Sequence, residues 1–97
     1  MTDIIPFDQR DGFIWYNGEF VNWKDAKVHV LNHGLHYGSC VFEGERIYNS
    51  KIFKSDLHTK RLHASAEILG YEIPFSVEAL NKIKVELVAK QQVVEGY

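Results

Sequence analysis

The sequence predicts an α+β fold, an antiparallel sheet covered by two helices. Three observations carry that prediction. Phe13-Ile14-Trp15-Tyr16 and Glu19-Phe20-Val21 flank Asn17-Gly18, and a two-residue hairpin turn needs φ > 0 at both central positions, which Asn-Gly supplies. Two later stretches, 56–69 and 77–91, carry apolar residues at helical spacing between start and stop signals. The chain then closes on Val93-Val94-Glu95-Gly96-Tyr97, which reads as the first residues of a further strand.

Each element follows from its residues. Residues 1–12 are polar and contain Pro6 and Gly12, which predicts a flexible N-terminal arm and leaves 13–97 as one domain. Trp23 to Lys27 form a short connection, and Val28-His29-Val30 alternates like an extended segment. Residues 31–40 read as a glycine-punctuated loop. Cys40-Val41-Phe42 and Arg46-Ile47-Tyr48 are strand pieces around Gly44, and Asn49-Ser50 turns the chain into Lys51-Ile52-Phe53 as a second hairpin. Ser55 is placed as the N-cap of the first helix, with Asp56 at the positive end of the dipole. Leu62, Ala66 and Leu69 share a face of that helix, and Gly70 stops it. Tyr71 to Pro74 connect to a second helix capped by Ser76, with Leu80, Ile83, Leu87 and Val88 turned inward.

Composition excludes several functions. Ninety-seven residues support one modest core, and 45% hydrophobic with 25% charged residues is ordinary for a globular domain. A net charge of −2 without a Lys/Arg cluster gives no field for nucleic acid. No apolar stretch is long enough to span a bilayer, and the start lacks the basic and apolar regions of a signal peptide. One cysteine permits no internal disulfide, so a cytoplasmic location is expected.

Chemistry concentrates in His33-Gly34-Leu35-His36-Tyr37-Gly38-Ser39-Cys40-Val41-Phe42-Glu43-Gly44-Glu45-Arg46. Glycine lets backbone approach a ligand, Tyr37 and Phe42 offer aromatic surface, and Arg46 offers a planar fork for an anion. By spacing alone the run reads equally as a ligand wall or as a turn-rich connection with buried aromatics. Arg61 reads as a solvated helix arginine or as an anion clamp. His29, His33 and His36 lack the cysteine pair or carboxylate of a recognisable zinc motif, and Gly34 interrupts a helix between them, so no metal site is expected. Cys40 has no paired base and reads as a small buried residue.

The run Val28 to Gly38, followed by Val41-Phe42-Glu43-Gly44-Glu45-Arg46, closely resembles branched-chain amino acid aminotransferases, and the bacterial form most of all. These are class IV enzymes of fold type IV that use pyridoxal 5′-phosphate (PLP). The Ile14-Trp15-Tyr16-Asn17-Gly18-Glu19 hairpin and Lys60-Arg61-Leu62-His63-Ala64-Ser65-Ala66 match in the same order, so the resemblance covers 13–97. It implies the small N-terminal domain of a two-domain subunit, with the cofactor between the domains. It further implies that Tyr37 and Phe42 line the pocket for the substrate side chain, that Arg46 gives polar support there, and that Arg61 holds the PLP phosphate. Tyr97 matches the tyrosine of a Tyr-x-Arg strand that helps with the substrate carboxylate.

Two departures stand out. Glu45 occupies a position that is usually apolar in the family. The chain also stops before the arginine of Tyr-x-Arg and before the larger domain with the lysine that anchors PLP, and none of its own lysines lies in a matching context. The resemblance therefore implies a transaminase, homo-oligomeric when full length, that moves an amino group between leucine, isoleucine or valine and 2-oxoglutarate. No catalytic residue is expected in this chain, and no activity from it alone. The alternatives are a D-amino acid aminotransferase or aminodeoxychorismate lyase of the same fold, or a stand-alone interaction module. The unfinished strand argues against the module.

Overall fold

The computed structural model describes residues 4–97. The first positions of the expected arm, 1–3, lie outside the described residues. The rest of the arm carries a 3-10 turn at Phe7–Gln9, and the Trp23 indole N–H donates to Phe7 O.

Strands β1 (Phe13–Tyr16) and β2 (Glu19–Asn22) form the first hairpin, with Ile14 opposite Val21 and Trp15 opposite Phe20. Asn17 and Gly18 take φ of 49° and 98°, the left-handed pair that such a turn requires. A 3-10 turn at Trp23–Asp25 follows. The expected extended segment Val28-His29-Val30 pairs with no strand among the described residues.

The expected loop 31–40 contains a short helix, α1 (His33–Tyr37). Asn32 caps it by accepting from Gly34 N at 2.9 Å, and Gly38 ends it at φ 62°. Gly34 therefore sits inside a helix and does not break one. The cap satisfies an orphan amide and makes one turn of helix possible despite the glycine.

Strands β3 (Ile47–Tyr48) and β4 (Lys51–Ile52) form the second hairpin as expected, but residues 40–45 join no strand among the described residues. The C-terminal segment does pair. Ile47 and Gly96 exchange both backbone hydrogen bonds, at 2.9 and 3.1 Å, and Ser50 N donates to Val94 O. The expected strand at Val93-Val94-Glu95-Gly96-Tyr97 is therefore reduced to a single bridge at Gly96 against β3, with bends at Val94 and Glu95.

Helix α2 (Ser55–Leu69) begins one residue earlier than the sequence suggests. Ser55 is not the N-cap. Lys54 holds that position at φ 54°, because β4 runs almost directly into the helix and the chain must reverse in one left-handed residue. Ser55 Oγ is buried with no hydrogen-bond partner among the described residues. The inward face of α2 is also more polar than predicted. Thr59 is fully buried and Ala66 is 1% exposed, whereas Leu69 is half exposed. Gly70 stops the helix at φ 87°, as expected.

Helix α3 (Val77–Gln91) has the predicted cap, with Ser76 Oγ accepting from Ala79 N at 3.0 Å. Leu80, Ile83 and Leu87 are half-buried and Val88 is buried, so this stripe is the predicted one. It packs on α2, β1 and β4. Gln91 locks the sheet to the helix by accepting from Phe13 N at 2.8 Å. His63 of α2 has Nδ1 3.0 Å from Thr59 O and Nε2 2.8 Å from Phe75 O, which ties the α2–α3 connector to α2.

Candidate active site

The candidate site is built on the segment Phe42 to Arg46, which leads from α1 into β3. Its burial alternates. Val41, Glu43, Glu45 and Ile47 are half-buried, while Phe42, Arg46 and Tyr48 are exposed. Alternation with period two is what an extended chain lying on a packed surface produces. Glu43 and Glu45 turn to the helices, Phe42 and Arg46 look away from them, and Gly44 is half-buried beneath Tyr97.

Arg61 lies at this junction. Its guanidinium meets the Glu43 carboxylate side-on, Nε to Oε2 at 2.6 Å and Nη2 to Oε1 at 2.7 Å. His58, one turn earlier on α2, donates from Nδ1 to Glu43 Oε1 at 2.6 Å, since a carboxylate only accepts. The Glu43 side chain is only 6% exposed. Hydrogen bonds from Arg61, then from His58, lower its pKa from 4.5 to about 2. The same pairing raises the pKa of Arg61.

This pairing fixes the orientation of Arg61. One edge of its fork is committed to Glu43, and the side chain remains 68% exposed. It lines a groove of about 360 Å³ with Lys54, Leu57 and His58. Glu43 is not part of that lining, so its charge is spent on the helix side. The groove therefore holds one guanidinium of fixed orientation, with Lys54 and His58 among the residues that line it.

The aromatic side of the segment is assembled from distant chain. Tyr97 reaches back over Gly44, where a methyl group on Gly44 Cα would collide with Tyr97 Oη. Only glycine lets the phenol sit so close. Phe42 and Tyr97 are both about three-quarters exposed. The Arg46 guanidinium lies 5.7 Å from the Tyr48 ring centre, and Arg46 O accepts from Phe53 N at 2.8 Å. Gly44→Ala therefore displaces the Tyr97 ring at a cost below about 1 kcal/mol, because that ring is free to swing outward. Tyr97 ring protons should move in the NMR spectrum while Tm falls by less than about 4 °C.

The fold thus brings Phe42, Arg46, Tyr97 and Arg61 to one segment. Tyr37 stands apart on α1, its ring 4.6 Å from that of His33, and no hydrogen bond or ring contact joins it to the other four among the described residues. The sequence reading missed Glu43 and His58. A carboxylate inside an aromatic and apolar run, and a histidine three residues before Arg61 on the same helical face, were the signals available.

The histidines considered as metal ligands are engaged otherwise. His29 Nδ1 accepts from Leu31 N, His33 Nδ1 lies 2.7 Å from Ser39 Oγ, and His36 Nε2 lies 2.6 Å from Val30 O. Among the described residues no group of three or more potential ligands gathers. Cys40 is exposed, contrary to the expected burial, because α1 and the unpaired 40–45 stretch lie on the surface with its sulfur against Gly34.

These elements define an α+β domain with a carboxylate-braced, solvent-facing arginine beside a segment that exposes Phe42. Comparison with known proteins gives that class its family. The model of the amino-transferase class IV family matches residues 40–97. A probable branched-chain-amino-acid aminotransferase of Rickettsia bellii is 48% identical over 85 residues, which cover 88% of this chain and 29% of that protein. The Pseudomonas aeruginosa branched-chain-amino-acid aminotransferase is 45% identical over 92 residues, covering 91% of this chain and 30% of the relative. The crystal structure of the Escherichia coli branched-chain amino acid aminotransferase superposes with a TM-score of 0.84 at 40% identity, covering 89% of this chain and 30% of that one. The chain belongs to the class IV aminotransferase family. It spans 29–33% of the length of the curated relatives it matches.

The family generally uses PLP. The donor set here fits one end of that group. A phosphate monoester needs fixed N–H donors and positive charge, and the outward edge of Arg61, with Lys54 and His58 beside it, offers both.

Proposed function

We propose that the full-length protein is a PLP-dependent transaminase that moves an amino group between leucine, isoleucine or valine and 2-oxoglutarate. In this reading Arg61 holds the PLP phosphate. The observation that carries the reading is the Glu43-braced guanidinium, fixed in a basic groove at the segment that exposes Phe42.

PLP, when bound, supplies the electrophilic carbon and electron-withdrawing ring that amino-group transfer needs. This chain's residues bind and orient. Phe42 and Tyr37 offer aromatic surface to a branched aliphatic side chain and keep water from it. Tyr97, poised over Gly44, directs its hydroxyl to the substrate carboxylate, and Arg46 adds polar support beside it. None of the chain's lysines serves as the PLP anchor, and no residue of the chain is assigned a catalytic role.

The exposed apolar run of Val28, Val30, Leu31, Leu35, Tyr37 and Phe42 supports a further part of this reading. So many large apolar side chains exposed within fifteen residues are a mark of an interaction surface. We assign the cover to the larger domain of the same subunit and to a second subunit in a homo-oligomer, with the 13–97 stretch as the small domain. No helix among the described residues is long and apolar enough to cross a membrane, and a cytoplasmic location is part of the proposal.

The test is a transamination assay on the full-length protein with 2-oxoglutarate and each candidate donor. Turnover is expected with the three branched L-amino acids and not with D-alanine. The 97-residue chain assayed alone should show none. A preference for D-amino acids would replace the substrate assignment with the D-amino acid reading. Turnover by the short chain that Tyr37→Ala abolishes would overturn its inactivity.

A further inference from the structure

Glu45 is a charged residue in a mostly apolar stretch, and the fold gives it a specific partner. Lys84 of α3 reaches across to Glu45 Oε1 at 2.7 Å, and both side chains are less than one-fifth exposed. The same ammonium donates to Thr59 Oγ1 at 2.7 Å and lies 3.5 Å from Ser55 O, so its three protons all have acceptors on the segment and on α2. Thr59 is fully buried, and its single proton serves Ser55 O or Asn81 Oδ1. Asn81 in turn donates to Asp56 Oδ1 at 2.9 Å. One lysine therefore joins the 42–46 segment, α2 and α3.

The geometry of the segment gives this pair a consequence at the site. Glu43 and Glu45 are two residues apart and both turn inward, one to Arg61 and His58, the other to Lys84. These anchors flank Gly44, which carries Tyr97 on its other side, and the second of them directly precedes Arg46. An apolar residue at position 45 would hold the segment by contact with no preferred direction. A half-buried ion pair holds it at a set length and angle.

We propose that Glu45 and Lys84 are a positioning pair that sets how Gly44, Arg46 and Tyr97 are presented to the substrate. This rests on the transaminase reading and deepens it by assigning part of substrate affinity to two residues that do not touch substrate. Removal of one partner leaves a half-buried charge unpaired and lets the segment shift, whereas removal of both leaves no such charge.

The experiment is a double-mutant cycle in the full-length holoenzyme with Glu45→Ile, Lys84→Met and the pair together. Each single substitution should raise KM for the branched-chain donor about fivefold or more, with kcat within about twofold, and the double should return KM to within about twofold of the starting value. Backbone amide signals of Gly44 and Arg46 should move in both single variants and return in the double. If Lys84→Met does not fold, Glu45→Gln keeps an acceptor for the lysine and should raise KM in the same direction. Additive effects on KM, unchanged KM in the singles, or unmoved Gly44 and Arg46 signals would each overturn the proposal. A parent protein that does not transaminate branched-chain amino acids would remove the functional reading, and the amide signals would still decide whether the pair positions the segment.

Discussion

Replacing Arg61 with alanine in the full-length protein is expected to weaken PLP retention by about 10- to 100-fold, the range for losing a charge-assisted contact to a bound anion. The loss has two sources. In the proposed reading the phosphate loses a donor, and Glu43 loses its two-point partner while only 6% exposed. Arg61→Lys should recover only part of the affinity, because an ammonium has no second edge with which to engage Glu43 while facing the groove. Dialysis against PLP-free buffer, followed by titration of the cofactor's visible absorbance, measures this directly. Retention equal to that of the unmodified protein would remove Arg61 from the phosphate site.

Glu43→Gln is expected to flatten the acid limb of stability. The folded-state pKa of Glu43 lies at about 2 against an ordinary 4.5, with Arg61 and then His58 as the causes. A lowered carboxylate pKa stabilises the fold at pH above the unfolded value, and that contribution disappears as pH falls from 4.5 towards 2. A glutamine side chain at this position carries no charge to titrate. The variant should be less stable at pH 7 and should show a flatter decline of Tm through that acid window. Some slope remains in both proteins, because hydrogen bonds from Lys60 and then Asn81 also lower the pKa of Asp56. Parallel Tm profiles for the two proteins would show that Glu43 is not the titrating group.

Both expectations centre on Glu43, which the sequence reading passed over. Its residue type makes Arg61 a solvated helix arginine or an anion clamp, and family resemblance supplies its proposed ligand. Neither revealed what would hold it. A bidentate contact between residues 18 apart depends on the approach of an unpaired segment to a helix, and local patterns carry no information about that approach.

What the sequence determined by itself is the local part of the fold. Asn17-Gly18, Gly70 and Ser76 act through their own backbone preferences and nearest amides, and the β1–β2 hairpin, the end of α2 and the start of α3 fall where those residues put them. The sequence also carried the family, because several motifs recur in the same order. The tertiary structure decided the rest. It made Lys54 the first residue of the turn into α2, buried Thr59 and left Leu69 half exposed on that helix, and paired Gly96 with Ile47. It also laid Tyr97 over Gly44 and gave Glu43 and Glu45 their partners. Each of these depends on groups far apart in the chain, and a charge inside an apolar run acquires meaning only when folding places its counter-charge beside it.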